Sequence, residues 1–161
     1  MKTAGLLNLA IAVLWLFLAD RPSLERFVLG WLTGFALIAV FSRLLGAQRY
    51  VRLIFALVRL FFVLCKEVTL SSLAVLTLAW SRRAARPKCA FFTYDARCLS
   101  ATETMLLAHF ITLTPGTVTV DFLGDDFHTL RIHILDSQDV EQSKKSISDT
   151  LEKAILGVTR I

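Results

Sequence analysis

Three apolar stretches open the chain, and the polar residues that interrupt them differ in kind. The first, residues 3–19, is broken only by Asn8. At about 17 residues it sits at the lower limit for a helix that crosses a bilayer. Asp20-Arg21-Pro22 follows it with no small-residue cleavage site, so a retained helix is expected rather than a signal peptide. Residues 21–26 read as a tight loop, because the residue before a proline avoids the helical region and proline suits the first turn of a new helix. A second apolar run starts at Phe27 and predicts a helix over about residues 27–45. Within it lies Gly30-Trp31-Leu32-Thr33-Gly34, whose two glycines leave a flat strip that another helix backbone can approach. Gly30 and Gly34 are therefore candidate helix-packing positions, and the two runs predict a helical hairpin.

The third stretch, about residues 50–80, carries charge in register. Arg52, Arg59 and Lys66 recur every seven residues, a step that drifts by only about 20° around a helix, so they share one narrow stripe. An apolar helix with one basic stripe is suited to the membrane interface, cations toward headgroups and aromatics toward acyl chains. A charge near the bilayer centre would cost about 2.5–3.5 kcal/mol on insertion scales. The charge-free part, residues 68–80, is too short to span comfortably. The basic segments Arg43–Arg52 and Arg82–Lys88 flank this helix, and the positive-inside rule places both in the cytoplasm. Two spans plus an interfacial third helix satisfy that rule, with the N-terminus and the rest of the chain cytoplasmic; three spans do not.

Beyond Pro87 the periodicity changes, marking a boundary between a membrane region at 1–87 and a domain at 88–161. Residues 89–94 predict an aromatic-rich strand. Ser100-Ala101-Thr102-Glu103 is a capping box that opens a helix to about Ile111. Thr114-Pro115-Gly116-Thr117 stops it, proline setting one turn angle and glycine accepting a positive φ. Val118, Val120 and Phe122 alternate on one strand face, and Leu130, Ile132 and Ile134 on the next, predicting a hairpin turned at Gly124-Asp125-Asp126. From Asp139 onward, Val140, Ile147, Leu151, Ile155 and Val158 follow helical spacing. The fold class predicted is a membrane protein: a helical hairpin, an amphipathic helix, then a small cytoplasmic α+β domain of order β-α-β-β-α. About 70 residues is marginal for a domain standing alone, so it is expected to dock on the amphipathic helix or on a partner.

Composition agrees and narrows the function. Of 161 residues 55 % are hydrophobic and 19 % charged, with mean hydropathy +0.62; a soluble domain carries about 25 % charged residues. Residues 1–88 hold 12 of the 18 Lys and Arg with three acids (Asp20, Glu25, Glu67), whereas residues 89–161 hold 6 basic and 10 acidic residues. The overall positive charge is thus a membrane-flank effect, and no nucleic-acid partner is expected. Cys65, Cys89 and Cys98 have neither metal spacing nor a disulfide framework. His109, His128 and His133 are dispersed over a helix, a turn and a strand, Asp121, Asp125 and Asp126 lack calcium-loop spacing, and no phosphate loop is present. No catalytic, metal or cofactor site is predicted, and the chain is not expected to be an enzyme. The two spanning runs also lack the ionisable residue that an ion path needs at membrane depth.

Several stretches resemble one family. Leu6-Leu7-Asn8-Leu9-Ala10-Ile11-Ala12-Val13-Leu14-Trp15, the Lys66-Glu67 pair, and above all Leu106 to Asp121 with Thr114-Pro115-Gly116-Thr117 inside it, are similar to the MnhE/PhaE component of Mrp-type multisubunit sodium/proton antiporters. His133 with Asp136, and Glu152-Lys153-Ala154-Ile155-Leu156, fit the same pattern; His109 departs from it, standing where a small amide would be expected. The resemblance implies an accessory, assembly-type subunit of a complex that exchanges sodium or potassium for protons. Its partners would be large subunits related to respiratory complex I, small membrane subunits and the inner-membrane bilayer. The other reading of these residues is a membrane-anchored sensor or adaptor whose βαββα domain binds a cytoplasmic ligand.

Overall fold

The computed structural model describes residues 2–80, 89–124, 127–135 and 140–161. The basic segment 82–88 and the acidic residues Asp125, Asp126, Asp136 and Asp139 of the sequence reading lie outside these. By packing, the chain divides into two compact units, one ending at Leu57 and the other running Val58–Arg160. That division falls inside the long third helix.

In the first unit, helices α1 (Lys2–Leu18) and α2 (Leu24–Val40) run antiparallel, with the start of α3 (Gln48–Trp80) beside them. Ser23 caps α2, its hydroxyl accepting the Arg26 N–H at 3.3 Å, and Glu25 lies in the first turn where the helix dipole favours an acid. Pro22 therefore precedes the cap instead of occupying the first turn. The helix closes at Val40, short of the residue 45 expected: a turn follows, and Gly46 takes φ +61°, which a side chain would resist. Ala4, Ile38, Ala47 and Tyr50 form a buried cluster, with Phe35, Val51 and Ile54 packed on it.

None of the described helices is long and apolar enough to cross a membrane. Helices α1 and α2 have 17 residues each, about 26 Å of rise against a hydrocarbon core of about 30 Å. Their surface is nonetheless apolar, with Phe17 83 %, Leu18 75 % and Val40 77 % exposed. A soluble monomer does not leave such a surface to water.

The second unit holds a three-stranded antiparallel sheet of β1 (Ala90–Asp95), β2 (Thr117–Leu123) and β3 (Thr129–Ile134), in the order β1-β3-β2. Helix α4 (Ala101–Leu113), then α5 (Val140–Ile147), a π-helical turn (Ser148–Glu152) and α6 (Lys153–Thr159), supply its helical layer. The core gathers Phe92 and Tyr94 from β1, Leu130 and Ile132 from β3, Leu107 and Ile111 from α4, and Leu151 and Ile155 from the last helical segment. Leu60 of α3 joins this core, with Val63 and Leu64 packed against it, so the α3 stretch after Leu57 completes the domain.

The face that β2 turns inward differs from the expectation. Val118 and Val120 are 45 % and 54 % exposed, while Thr117 and Thr119 are half-buried. Thr117 opposes Ile134 and Thr119 opposes Ile132, then a bulge before Asp121 shifts the register so that Phe122 opposes Leu130. Threonines win the inner positions because α4 offers them acceptors: Thr119 Oγ1 donates to Ala108 O at 3.2 Å, and the Thr119 N–H donates to Thr112 Oγ1 at 3.2 Å. A valine at residue 119 would forfeit that bond, leaving the Thr112 hydroxyl, at 2.9 Å, as the side-chain donor to Ala108 O.

Candidate functional site

Two local constructions organise the chain: the glycine strip of the hairpin and the turn that joins α4 to β2.

Gly30 and Gly34 are buried on α2. A Cβ built on Gly30 would come 2.6 Å from Trp15 Cβ and 3.1 Å from Ala12 Cα. One on Gly34 would overlap Asn8 Oδ1 and come 3.1 Å from Ile11 Cγ2. Both glycines thus lie against α1 of the same chain, at a spacing only glycine permits. Asn8, the lone polar residue in an apolar run, is fully buried and donates from Nδ2 to the Tyr50 hydroxyl at 2.9 Å. That bond joins α1 to the first turn of α3. Its sequence signal was the isolated amide; its partner, 42 residues away, had none.

Arg52, Arg59 and Lys66 are all exposed along α3. The α3 face that packs on the domain carries Leu60, Val63 and Leu64 instead. Beside the cations, Phe61 and Phe62 are 62 % and 65 % exposed.

At the Thr114–Thr117 turn the capping is dense. Ile111 O accepts the Thr114 N–H at 3.2 Å and the Thr114 and Thr117 hydroxyls, each at 2.7 Å. The Thr117 N–H closes the turn on Thr114 O at 3.3 Å. Gly116 adopts φ +91°, and its carbonyl accepts the Leu135 N–H at 2.8 Å. A Cβ there would come 3.2 Å from Val75 Cγ2. Gly116→Ala is expected to destabilise the protein by ~1–3 kcal/mol through backbone strain, read as a lower denaturation midpoint.

The start of α4 is fixed from both chain directions. Ser100 Oγ accepts the Glu103 N–H at 3.4 Å, and Glu103 Oε2 accepts the Ser100 N–H at 2.7 Å. Glu103 Oε1 accepts the Thr159 hydroxyl, and Arg160 Nη2 stands 3.8 Å from Oε2. These donors, the Ser100 N–H first, hold the buried Glu103 carboxyl below its usual range. A lowered pKa stabilises the fold above the unfolded carboxylate range, near 4.5, and that contribution is lost as pH falls toward the folded value. Glu103→Gln is therefore expected to flatten the acid limb of a stability–pH profile. Opposite, Tyr94 donates to Glu152; burial and that carboxylate raise the phenol above its usual value.

His109 bonds Met105 O from an exposed helix position, and His133 lies 4.9 Å from the Phe91 ring, centre to centre. Among the described residues no three His, Cys, Asp or Glu side chains converge to hold a metal. Cys65, Cys89 and Cys98 are free and exposed.

An apolar-surfaced hairpin joined through a long helix to a small α+β domain is the build of a membrane-associated protein. Residues 8–158 match the family model MNHE, described as Na+/H+ ion antiporter subunit, and the chain belongs to that family. It is 33 % identical over 156 residues to the E-type Na(+)/H(+) antiporter subunit of Bacillus subtilis (strain 168), covering 96 % of this chain and 97 % of that protein. A chain in the structure of the membrane-bound sulfane sulfur reductase, an archaeal respiratory membrane complex, shares the fold at TM-score 0.53 and 21 % identity, covering 96 % of this chain and 98 % of that one. A chain in the structure of the Mrp complex from Dietzia sp. DQ12-45-1b aligns at TM-score 0.46 and 29 % identity, over 58 % of this chain and 86 % of that one.

Proposed function

We propose that this chain is the E-type subunit of a multisubunit Na+/H+ antiporter, an accessory, membrane-associated component that partners with other antiporter subunits. The observation that carries this is the 33 % identity to an E-type antiporter subunit along nearly the whole of both chains. No catalysis and no ion path of its own are assigned to it. The α1–α2 hairpin lies in the bilayer as two short spans, and the N-terminus and second unit face the cytoplasm. The exposed apolar side chains of the hairpin and the basic segments around residues 43–52 and 82–88 support that orientation. Helices a few ångströms short of the hydrocarbon core are accommodated by local thinning or by neighbouring helices. In this arrangement Gly30 and Gly34 fix the hairpin, Arg52, Arg59 and Lys66 meet headgroups, and Thr114-Pro115-Gly116-Thr117 sets the register of the domain.

The test is purification of the tagged chain from its native membrane in mild detergent, with mass spectrometry of what copurifies. Large antiporter subunits in fixed proportion are the expected result; the chain alone, monodisperse and stable, would overturn the assignment. Orientation is read separately from cysteine labelling at Arg49 and Arg86, where labelling from opposite sides would exclude two spans.

A further inference from the structure

A cavity of about 200 Å³ opens where α3, the Thr114–Thr117 turn and the last helical segment meet within the second unit. Its charged lining residue is Glu67, from the pair on α3 that the assembly role leaves unused; no lysine or arginine lines it among the described residues. Ser71, Thr114, Thr117 and Thr150 also line it. Each of these hydroxyls has spent its one proton on a backbone carbonyl. Ser71 donates to Glu67 O at 2.5 Å, Thr114 and Thr117 to Ile111 O at 2.7 Å, and Thr150 to Ser146 O at 2.7 Å. Thr114 and Thr117 also stand 2.7 Å apart, hydroxyl to hydroxyl, and what these four side chains have left to offer a ligand is acceptor oxygen.

Ile111, Ile134, Ile147 and Leu151 make the apolar part of the lining, and Ser143 and Ser146 add to its polar part, which sets hydroxyl oxygens beside a single carboxylate, donors that suit a hard cation. The ligand charge count matches a monovalent ion, since divalent sites draw on more carboxylates. The absence of converging His, Cys, Asp and Glu side chains among the described residues excludes a transition-metal site. The volume exceeds that of a bare alkali ion and leaves room for several of its waters. We propose that this cavity binds a hydrated alkali cation, with Glu67 as the anionic ligand and the Ser71, Thr114, Thr117 and Thr150 oxygens completing the shell. Such an ion joins α3 to the signature turn and to the last helical segment, so occupancy tightens the seating of α3 on the domain. The site stands independently of the assembly role, because it needs only this chain.

The test is thermal unfolding of the full chain in detergent, titrated with NaCl or KCl against N-methylglucamine chloride at constant ionic strength. The expected result is a saturable rise in midpoint with Na+ or K+ and none with the bulky organic cation. Glu67→Gln should abolish the rise while melting in N-methylglucamine at or above the native temperature, and Ser71→Ala should move the half-saturating concentration several-fold upward. A second measurement uses native membrane vesicles. Peptide-resolved maleimide labelling of Ser71→Cys should slow in NaCl or KCl, and Glu67→Gln should remove that protection. Equal melting in all three salts with unprotected Ser71→Cys, or an undiminished cation response in Glu67→Gln, would overturn the proposal.

Discussion

Gly34→Val will dismantle the hairpin, whereas Ala36→Leu, at an exposed position on the same helix, will be tolerated. The first branched carbon at residue 34 falls on Asn8 Oδ1 and against Ile11, and Asn8 cannot retreat without abandoning Tyr50. Overpacking of a close contact costs about 1–3 kcal/mol and occasionally more, and here a buried polar pair is lost as well. A loss of ~3 kcal/mol shifts the folded-to-unfolded ratio by roughly a hundredfold. The measurement is the amount of chain recovered in membranes and the amount of antiporter subunits that copurify, both of which should collapse. Equal recovery for Gly34→Val and Ala36→Leu would show that the strip is not a packing face. Gly30→Val belongs to the same series, since its new atoms meet α1 backbone at Ala12 that cannot give way.

The second large effect concerns where the domain begins. A fragment of residues 58–161 will melt cooperatively in detergent, and one of residues 89–161 will not. Leu60 is 8 % exposed within the domain core, and Val63 and Leu64 pack beside it. Burying an aliphatic side chain stabilises by about 1.5–3 kcal/mol, so these three contribute on the order of 3–6 kcal/mol after allowance for partial burial. A small domain has only about 5–15 kcal/mol in total. Matching thermal transitions for the two fragments would show that α3 merely tethers the sheet. The same comparison bears on the sensor reading, which requires a domain that folds without α3.

What could be read in advance divides by the range of the signal. The capping box at Ser100–Glu103, the turn at Thr114–Thr117 and the outlines of the helices and strands rest on neighbours a few residues apart. The inward face of β2 was misread. Alternation alone favours Val118 and Val120, and only the carbonyls of α4, together with a bulge, make threonine the better inner residue. The domain-facing stripe of α3 was hidden because nearly every position around that helix is apolar. Its Arg52–Arg59–Lys66 register was visible since charges stand out against such a background. Of the candidate sites, the glycines were legible as a motif, but their partner was not: Asn8 and Tyr50 carry no mark that assigns them to each other. The Glu67 cavity was beyond reach for the same reason, since its oxygens come from three separate parts of the chain.

The Asn8–Tyr50 bond also sets a timetable for biogenesis. The amide leaves the ribosome with the first helix, and the phenol that satisfies it follows 42 residues later. At about 5–20 residues per second that interval is roughly 2–8 s. Over its last ten residues α1 and α2 are both made, but the amide between them has no phenol to meet. Commitment of the nascent hairpin to its final packing therefore waits for the opening turn of α3, and a pause in translation just before Tyr50 would prolong the period in which the newborn chain is most open to quality control.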